Sequence, residues 1–362
     1  MNGAHFQRIL VVLSIAFALA TTVDTGRPDS ASAKPYYEGK TLKILVSSSP
    51  GGGTDTAGRL VGRFLPQFLP GNPAIIIQNM PGGGGTVSNN YFTRRAKPDG
   101  LFLLQDSSSG LGSFSRGGRR IKYDPRKYGA IGSIMRGGSV LMVRKEARHR
   151  LTDPKAKPVV VGDTDGIRTW VSMTVCGAEY LGWNPRWIVG YAGTGEIILA
   201  FRQGEIEMMA TANAKLIKGL VKDGVVDIIT QAGKVRRKDF PNVPTFEELL
   251  GNKRPSGVPW QAYRVWAGPS EVDKFLVAPP GTPDKTVGLL REAFQKMAQD
   301  REFISQATKF FGNAWIARGG KETQALIREV TTVSQEVKGF LRKIRVKYGL
   351  PTTKPKKRKR KS

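Results

Sequence analysis

The chain has 362 residues, a net charge of +28, a 40% hydrophobic share, one cysteine and two histidines. That length exceeds what one core comfortably serves, so two globular lobes are expected. The cysteine and histidine counts exclude an intrachain disulfide, a Cys/His zinc site and a His-Cys nucleophile, and leave a Ser-His-Asp triad only through His149.

Arg8 precedes the apolar run ILVVLSIAFALA at residues 9–20, which is too short to span a bilayer but suits a secretory signal core. Small-residue cleavage patterns occur at residues 18–20 and 31–33. Residues 1–33 are therefore expected to be a signal peptide and leader, and the mature protein periplasmic; an uncleaved anchor is the alternative. His5 would leave with this segment, which argues further against a hydrolytic enzyme.

Residues 42–46 read as a strand and 47–55 (SSSPGGGTD) as a loop. A helix follows, with Ala57, Leu60, Val61, Phe64, Leu65 and Phe68 on one stripe. Gly51, Gly52 and Gly53, beside Ser49, lack a Cβ, so their backbone can approach a bound group and turn its N–H groups inward. Thr54 or Asp55 is expected to cap the helix. The arrangement recurs as a strand at 74–78, the loop NMPGGGGT at 79–86 with Gly83, Gly84, Gly85 and Thr86, and a helix at 87–96. Parallel strands would bring both loops to one sheet edge as a cradle for an anion. Each helix N-terminus contributes about 0.3 to 1 kcal/mol toward a negative group, without needing a cationic side chain. Ordinary tight turns are the alternative. Arg59 and Leu60 stand where a phosphate-binding P-loop needs Lys and Ser or Thr, and no G-x-G-x-x-G is present, so no nucleotide and no cofactor are expected.

A third strand at 101–105 runs into Asp106 and SSSG, whose Ser107 and Ser108 suit either a polar ligand or a plain turn. Residues 112–122 are basic and glycine-rich and read as a flexible flap; 130–143 reads as one or two strands. The charged, proline-containing stretch 149–157 is the expected crossing between lobes. Beyond it the strand, loop, helix order repeats: a strand at 158–162, a turn at 163–166, a helix at 169–181, and a strand at 187–189 leading to GYAGTGE at 190–196. Here Tyr191, Gly193 and Thr194 lie where a second jaw would meet a ligand; Tyr191 could equally be a packed aromatic. A helix from 197, strands at 204–209 and 225–231, and a turn with a short helix at 241–248 follow, while 253–268 gives no clear reading. A strand at 275–278 returns the chain, followed by helices at 284–299, 300–310 and 321–348. Cys176 reads as a small buried apolar residue, a reactive thiol being the alternative.

Residues 343–362 hold ten Lys or Arg and no acid. Residues 349–362 are expected to be a disordered, solvated tail. After export such a tail could contact anionic phospholipid or other polyanions; no nucleic acid is expected as a partner.

Several segments in order resemble the periplasmic substrate-binding proteins of tripartite tricarboxylate transporters, the Bug family: LKILVSSSPGGGTDTAGRLVGRFL, IIIQNMPGGGGT, KPDGLFLLQ, KYDP, VGYAGTGEIILAFRQGEIE, FPNVPTFEEL and FLVAPPGTPDKTVGLLREAF. They cover about residues 36–313. The resemblance implies an α/β, two-lobe fold of the type II periplasmic-binding-protein kind with a central cleft, lobe 1 being 36–148 with 275–348 and lobe 2 being 149–274. It implies a non-enzymatic receptor that takes a small organic anion, a di- or tricarboxylate or aromatic acid, through the two glycine loops and delivers it to membrane permease subunits. Ser107, Ser108, Tyr191, Gly193 and Thr194 would line the cleft, with Asp55 orienting the first loop or meeting the ligand through a water. Phe114-Ser115 and residues 163–168 depart from the family pattern, as does the basic tail. A secreted basic protein that binds surfaces or polyanions on the same scaffold is the other reading.

Overall fold

The computed structural model describes residues 34–163, 166–191 and 194–352; the expected signal segment 1–33, Gly193 and residues 353–362 lie outside the described residues. The first half alternates strand and helix as β1 (Thr41–Val46), α1 (Gly53–Phe64), β2 (Ala74–Asn79), α2 (Thr86–Arg95), β3 (Phe102–Ser107), α3 (Ser108–Arg116) and β4 (Gly129–Met135). There follow β5 (Val140–Arg144), β6 (Val159–Asp163), α4 (Val171–Tyr180), β7 (Pro185–Val189), α5 (Thr194–Gln203), β8 (Met208–Thr211), α6 (Ala214–Lys222) and β9 (Val226–Gln231). The chain then forms α7 (Phe246–Leu250), α8 (Gly257–Ala267), β10 (Lys274–Ala278), α9 (Asp284–Gln299), α10 (Arg301–Phe311), β11 (Ile316–Gly319), α11 (Gly320–Thr331) and α12 (Gln335–Lys347).

These strands form two sheets, ordered β11-β4-β10-β3-β1-β2 and β7-β6-β8-β5-β9. In the first, β1 runs parallel to β2 and β3, while β10 is antiparallel to β3 and β4. The second repeats the plan, with β6 parallel to β7 and β8, and β5 antiparallel to β8 and β9. β10 and β5 are the strands by which the chain arrives from the other lobe, and β11 adds an antiparallel edge beside β4 in the first sheet. This is the two-lobe periplasmic-binding-protein architecture that the sequence leads one to expect.

Both sheets are covered on both faces, which explains why their inner strands read as continuous apolar runs. Strand alternation sends Leu42, Ile44 and Val46 into a core with α1, α9 and α10, and Leu45 into the opposite core with α2, α3 and α11. In β5, Leu141 and Val143 face α4, α8 and α12, while Val140 and Met142 face α5 and α6. Cys176 is buried in this second lobe, and burial pushes its thiol up to about 12, fitting the apolar role expected of it.

Four expectations need correction. Residues 140–144 pair within the second sheet, so the first crossing is at 136–139, ahead of the charged stretch at 149–157, which starts in a 3-10 segment (Lys145–Thr152) and leads on to β6. The expected last helix is two: Thr332 leaves helical geometry at ψ 99, and Ser334 caps α12 by accepting from the Val337 N–H. Ile344 of α12 packs into the second-lobe core, as does Leu350, so neither follows the expected assignment to lobe 1 and to the tail. The expected flap at 112–122 is helical as far as Arg116.

Candidate functional site

The turns after β1, β2 and β3 leave the same edge of the first sheet, and the crossing segments bring the second lobe opposite them. Between the lobes lies a cavity of about 780 Å³. Gly51, Gly52, Gly53, Gly84, Ser108 and Ser109 line one side, and Ile167, Arg168, Thr211 and Asn213 are among those lining the other. The two glycine turns therefore share one rim.

Helix α1 begins at Gly53, with Gly52 extended as its cap and no side-chain cap. Thr54 and Asp55 are not caps: both are buried within the first turn. Asp55 instead ties the loop together. Its Oδ2 accepts from the Gly51 N–H and from Arg59 Nε, each at 2.9 Å, and its Oδ1 accepts from Asn79 Nδ2 at 2.8 Å. Burial raises this carboxyl, but the donors from Arg59, Asn79 and Gly51 outweigh it and hold the group below the usual carboxylate range. The first-turn amides of Gly53 and Thr54 have no acceptor among the described residues, as the start of a helix requires. At Gly53 those open donors reach the cavity wall.

In the second loop Gly82, Gly83, Gly84 and Gly85 all have positive φ, from 57° to 132°, a run open to glycine alone. Gly84 reaches the cavity. Gly83 is exposed away from it, while Gly85 and Thr86 are buried behind, with Gly85 against Asp106 and Asn89. After β3, Ser108 and Ser109 face the cavity, whereas Ser107 is buried and Ser49 lies outside the lining. Of the expected second-jaw residues, Tyr191 is half-buried and donates to Glu205 at 2.6 Å, outside the cavity. Thr194 opens α5, and Gly193 lies outside the described residues. The second-lobe wall comes instead from 167–170, ahead of α4, and from 210–215, at the start of α6. Both are further turns after parallel strands, and the helix-start pattern was the signal that could have found them.

Charge distinguishes this cavity. Among the described residues, seven cationic side chains line it, including Arg116, Arg136, Arg168 and Lys274, against one carboxylate, Asp273. Arg168 pairs with the fully buried Asp163 at 3.3 Å, which also accepts from the Gly166 N–H at 2.9 Å. Arg136, the first residue of the crossing, grips Asp273 through Nε at 2.7 Å and Nη2 at 3.0 Å, and Lys274 Nζ adds a contact at 2.9 Å. Burial would raise the Asp273 carboxyl, but these two cations hold it well below the usual range; burial also lowers Lys274.

A pH dependence follows. A carboxyl depressed on folding stabilises the protein above its unfolded value, about 3.9, and that stabilisation is lost as pH falls below it. Asp273→Asn should cost roughly 3 to 5 kcal/mol at neutral pH, because it leaves Arg136 and Lys274 uncompensated. Thermal melts from pH 6 to 3 check this: the wild type should lose stability more steeply than the variant, and parallel slopes would remove Asp273 from the account.

Two lobes of matching strand order, closed around a cation-lined cleft fronted by glycine turns, define a receptor for small solutes. A family model described as the tripartite tricarboxylate transporter family receptor (TctC) matches residues 70–339, and the chain belongs to that family, whose members are receptors and not enzymes. It is 25% identical over 323 residues to protein BugT of Bordetella pertussis, covering 83% of this chain and 89% of that one. A TctC solute-binding protein from Polaromonas, without ligand, superposes with a TM-score of 0.64 at 20% identity, covering 85% of this chain and 99% of that one. MatC from Rhodopseudomonas palustris, with bound malate, gives 0.58 at 21% identity, covering 83% and 99%.

Proposed function

We propose that this receptor captures a small organic carboxylate, a di- or tricarboxylate or an aromatic acid, in the interlobe cavity. It works in the periplasm and hands its cargo to the membrane permease subunits of a tripartite transporter. The observation that carries this reading is the set of unpartnered N–H groups at the Gly53 helix start, facing a cavity with an excess of cations. The malate held by MatC supports a ligand of that kind. Gly51, Gly52, Gly53, Gly84 and Ser108 would touch the ligand, while Asp55 fixes the loop from behind. Contacts with both jaws would favour the closed form over the open one. The basic tail would add attraction to anionic phospholipid.

Calorimetric titration with malate, citrate, adipate, benzoate and neutral solutes tests the proposal. At least one acid should bind with a shallow dependence on salt, as one enclosed anion requires, whereas binding to polyanions through many released counterions would be steep. Binding of neutral solutes alone would contradict it.

A further inference from the structure

The sequence suggests a cradle of backbone amides alone, yet the structure places a guanidinium in it. Arg136 spends its backbone N–H, Nε and Nη2 on Asp273. Its remaining nitrogen, Nη1, has no acceptor among the described residues and lies so close to Gly53 that a Cβ there would meet it at 2.6 Å. Gly53 is the residue whose own amide is open, and Arg136 and Gly53 both line the cavity. Asp273, itself buried, fixes the guanidinium plane from behind through two parallel bonds, so the free edge is aimed before any ligand arrives.

We infer that Arg136 is a specificity-determining residue of the receptor: its Nη1 and the Gly53 amide together bind one carboxylate of the ligand, and Asp273 positions the arginine for this. The inference rests on the receptor reading above and deepens it. Its consequence is selective. A carboxylate accepts from both donors, whereas a carboxamide in the same place brings no charge and turns its own NH2 donors toward a guanidinium. Lysine at this position keeps the charge and a contact to Asp273 but lacks the second fork.

The test is titration of malate and its monoamides into wild type, Arg136→Gln and Arg136→Lys. A charge-assisted hydrogen bond lost should weaken malate binding roughly tenfold to a hundredfold in Arg136→Gln, with Arg136→Lys in between. The decisive readout is the preference for malate over the monoamides, which should collapse in Arg136→Gln; a merely structural arginine would weaken all these ligands alike. If Arg136→Gln misfolds, Arg136→Lys carries the same comparison. Unchanged malate affinity and preference in a folded variant overturns the inference and leaves the receptor reading standing. Failure of the wild type to bind malate or any acid of the panel overturns both.

Discussion

Gly53→Val is expected to weaken carboxylate binding by at least about a hundredfold while leaving the fold intact. Any Cβ here lies 2.6 Å from Arg136 Nη1 and 3.3 Å from its Cζ, so the guanidinium must move. The two branched methyls then occupy the space over the open amides where an anion would rest. Two donor sets are lost together, which is why the expected effect exceeds that of changing Arg136 alone. Stability should fall only modestly: Gly53 is the first residue of α1 with no left-handed requirement, and the better helix propensity of valine offsets part of the Asp273 contact that the displaced guanidinium gives up. Titration with malate beside a thermal melt checks it. A folded variant with affinity within threefold of the wild type would place the anion elsewhere.

The second large effect concerns the frame that holds the cleft together. Gly138→Ala should destabilise the protein by roughly 3 kcal/mol or more. A Cβ at Gly138 would stand 1.7 Å from the Ala232 carbonyl oxygen and 2.4 Å from its carbon, and both partners are backbone. Neither side can yield cheaply. The Gly138 carbonyl accepts from Arg237 Nη1 at 2.8 Å, and the Ala232 N–H donates to the Ser139 carbonyl at 2.8 Å. Arg237 is held in turn by Asp239 at 2.8 Å with both side chains buried. The crossing is thus riveted to the end of β9, and displacing it also disturbs the seat of Arg136 two residues earlier. Chemical and thermal unfolding check this; a melting temperature within a degree of the wild type would show the crossing to be far more yielding than its contacts imply.

What the sequence reveals and conceals follows from the range of the interactions. The glycine turns after β1 and β2 were legible because strand, missing Cβ and helix stripe are all local signals, and both loops reached the rim expected of them. Which glycines touch the cavity was not: Gly83, Gly84 and Gly85 are equivalent as letters, and only the left-handed backbone separates the exposed, the facing and the buried one. The lobe boundary was misplaced because VLMVR of β5 is as apolar as any strand of the first sheet, and only its pairing with β8 and β9 reveals its lobe. Residues 253–268 gave no reading, with Gly257 and Pro259 at the head of a helix, but proline is tolerated in a first turn and α8 runs on from there. The stripe at 321–348 joined two helices because its period survives the break at Thr332. Arg136 and Lys274 were invisible among 57 Lys and Arg residues: what sets Arg136 apart is Asp273, 137 positions away.

The central claim is that open amides at helix starts on one rim, aided by Arg136, hold the anion. The most direct measurement follows backbone amide resonances of the 15N-labelled protein during titration with malate. The account predicts that Gly53, Thr54, Gly84 and Ser109 shift most, saturably and together, with Arg136 Nη1 moving alongside them. Saturable binding that leaves these signals in place and moves others would contradict it.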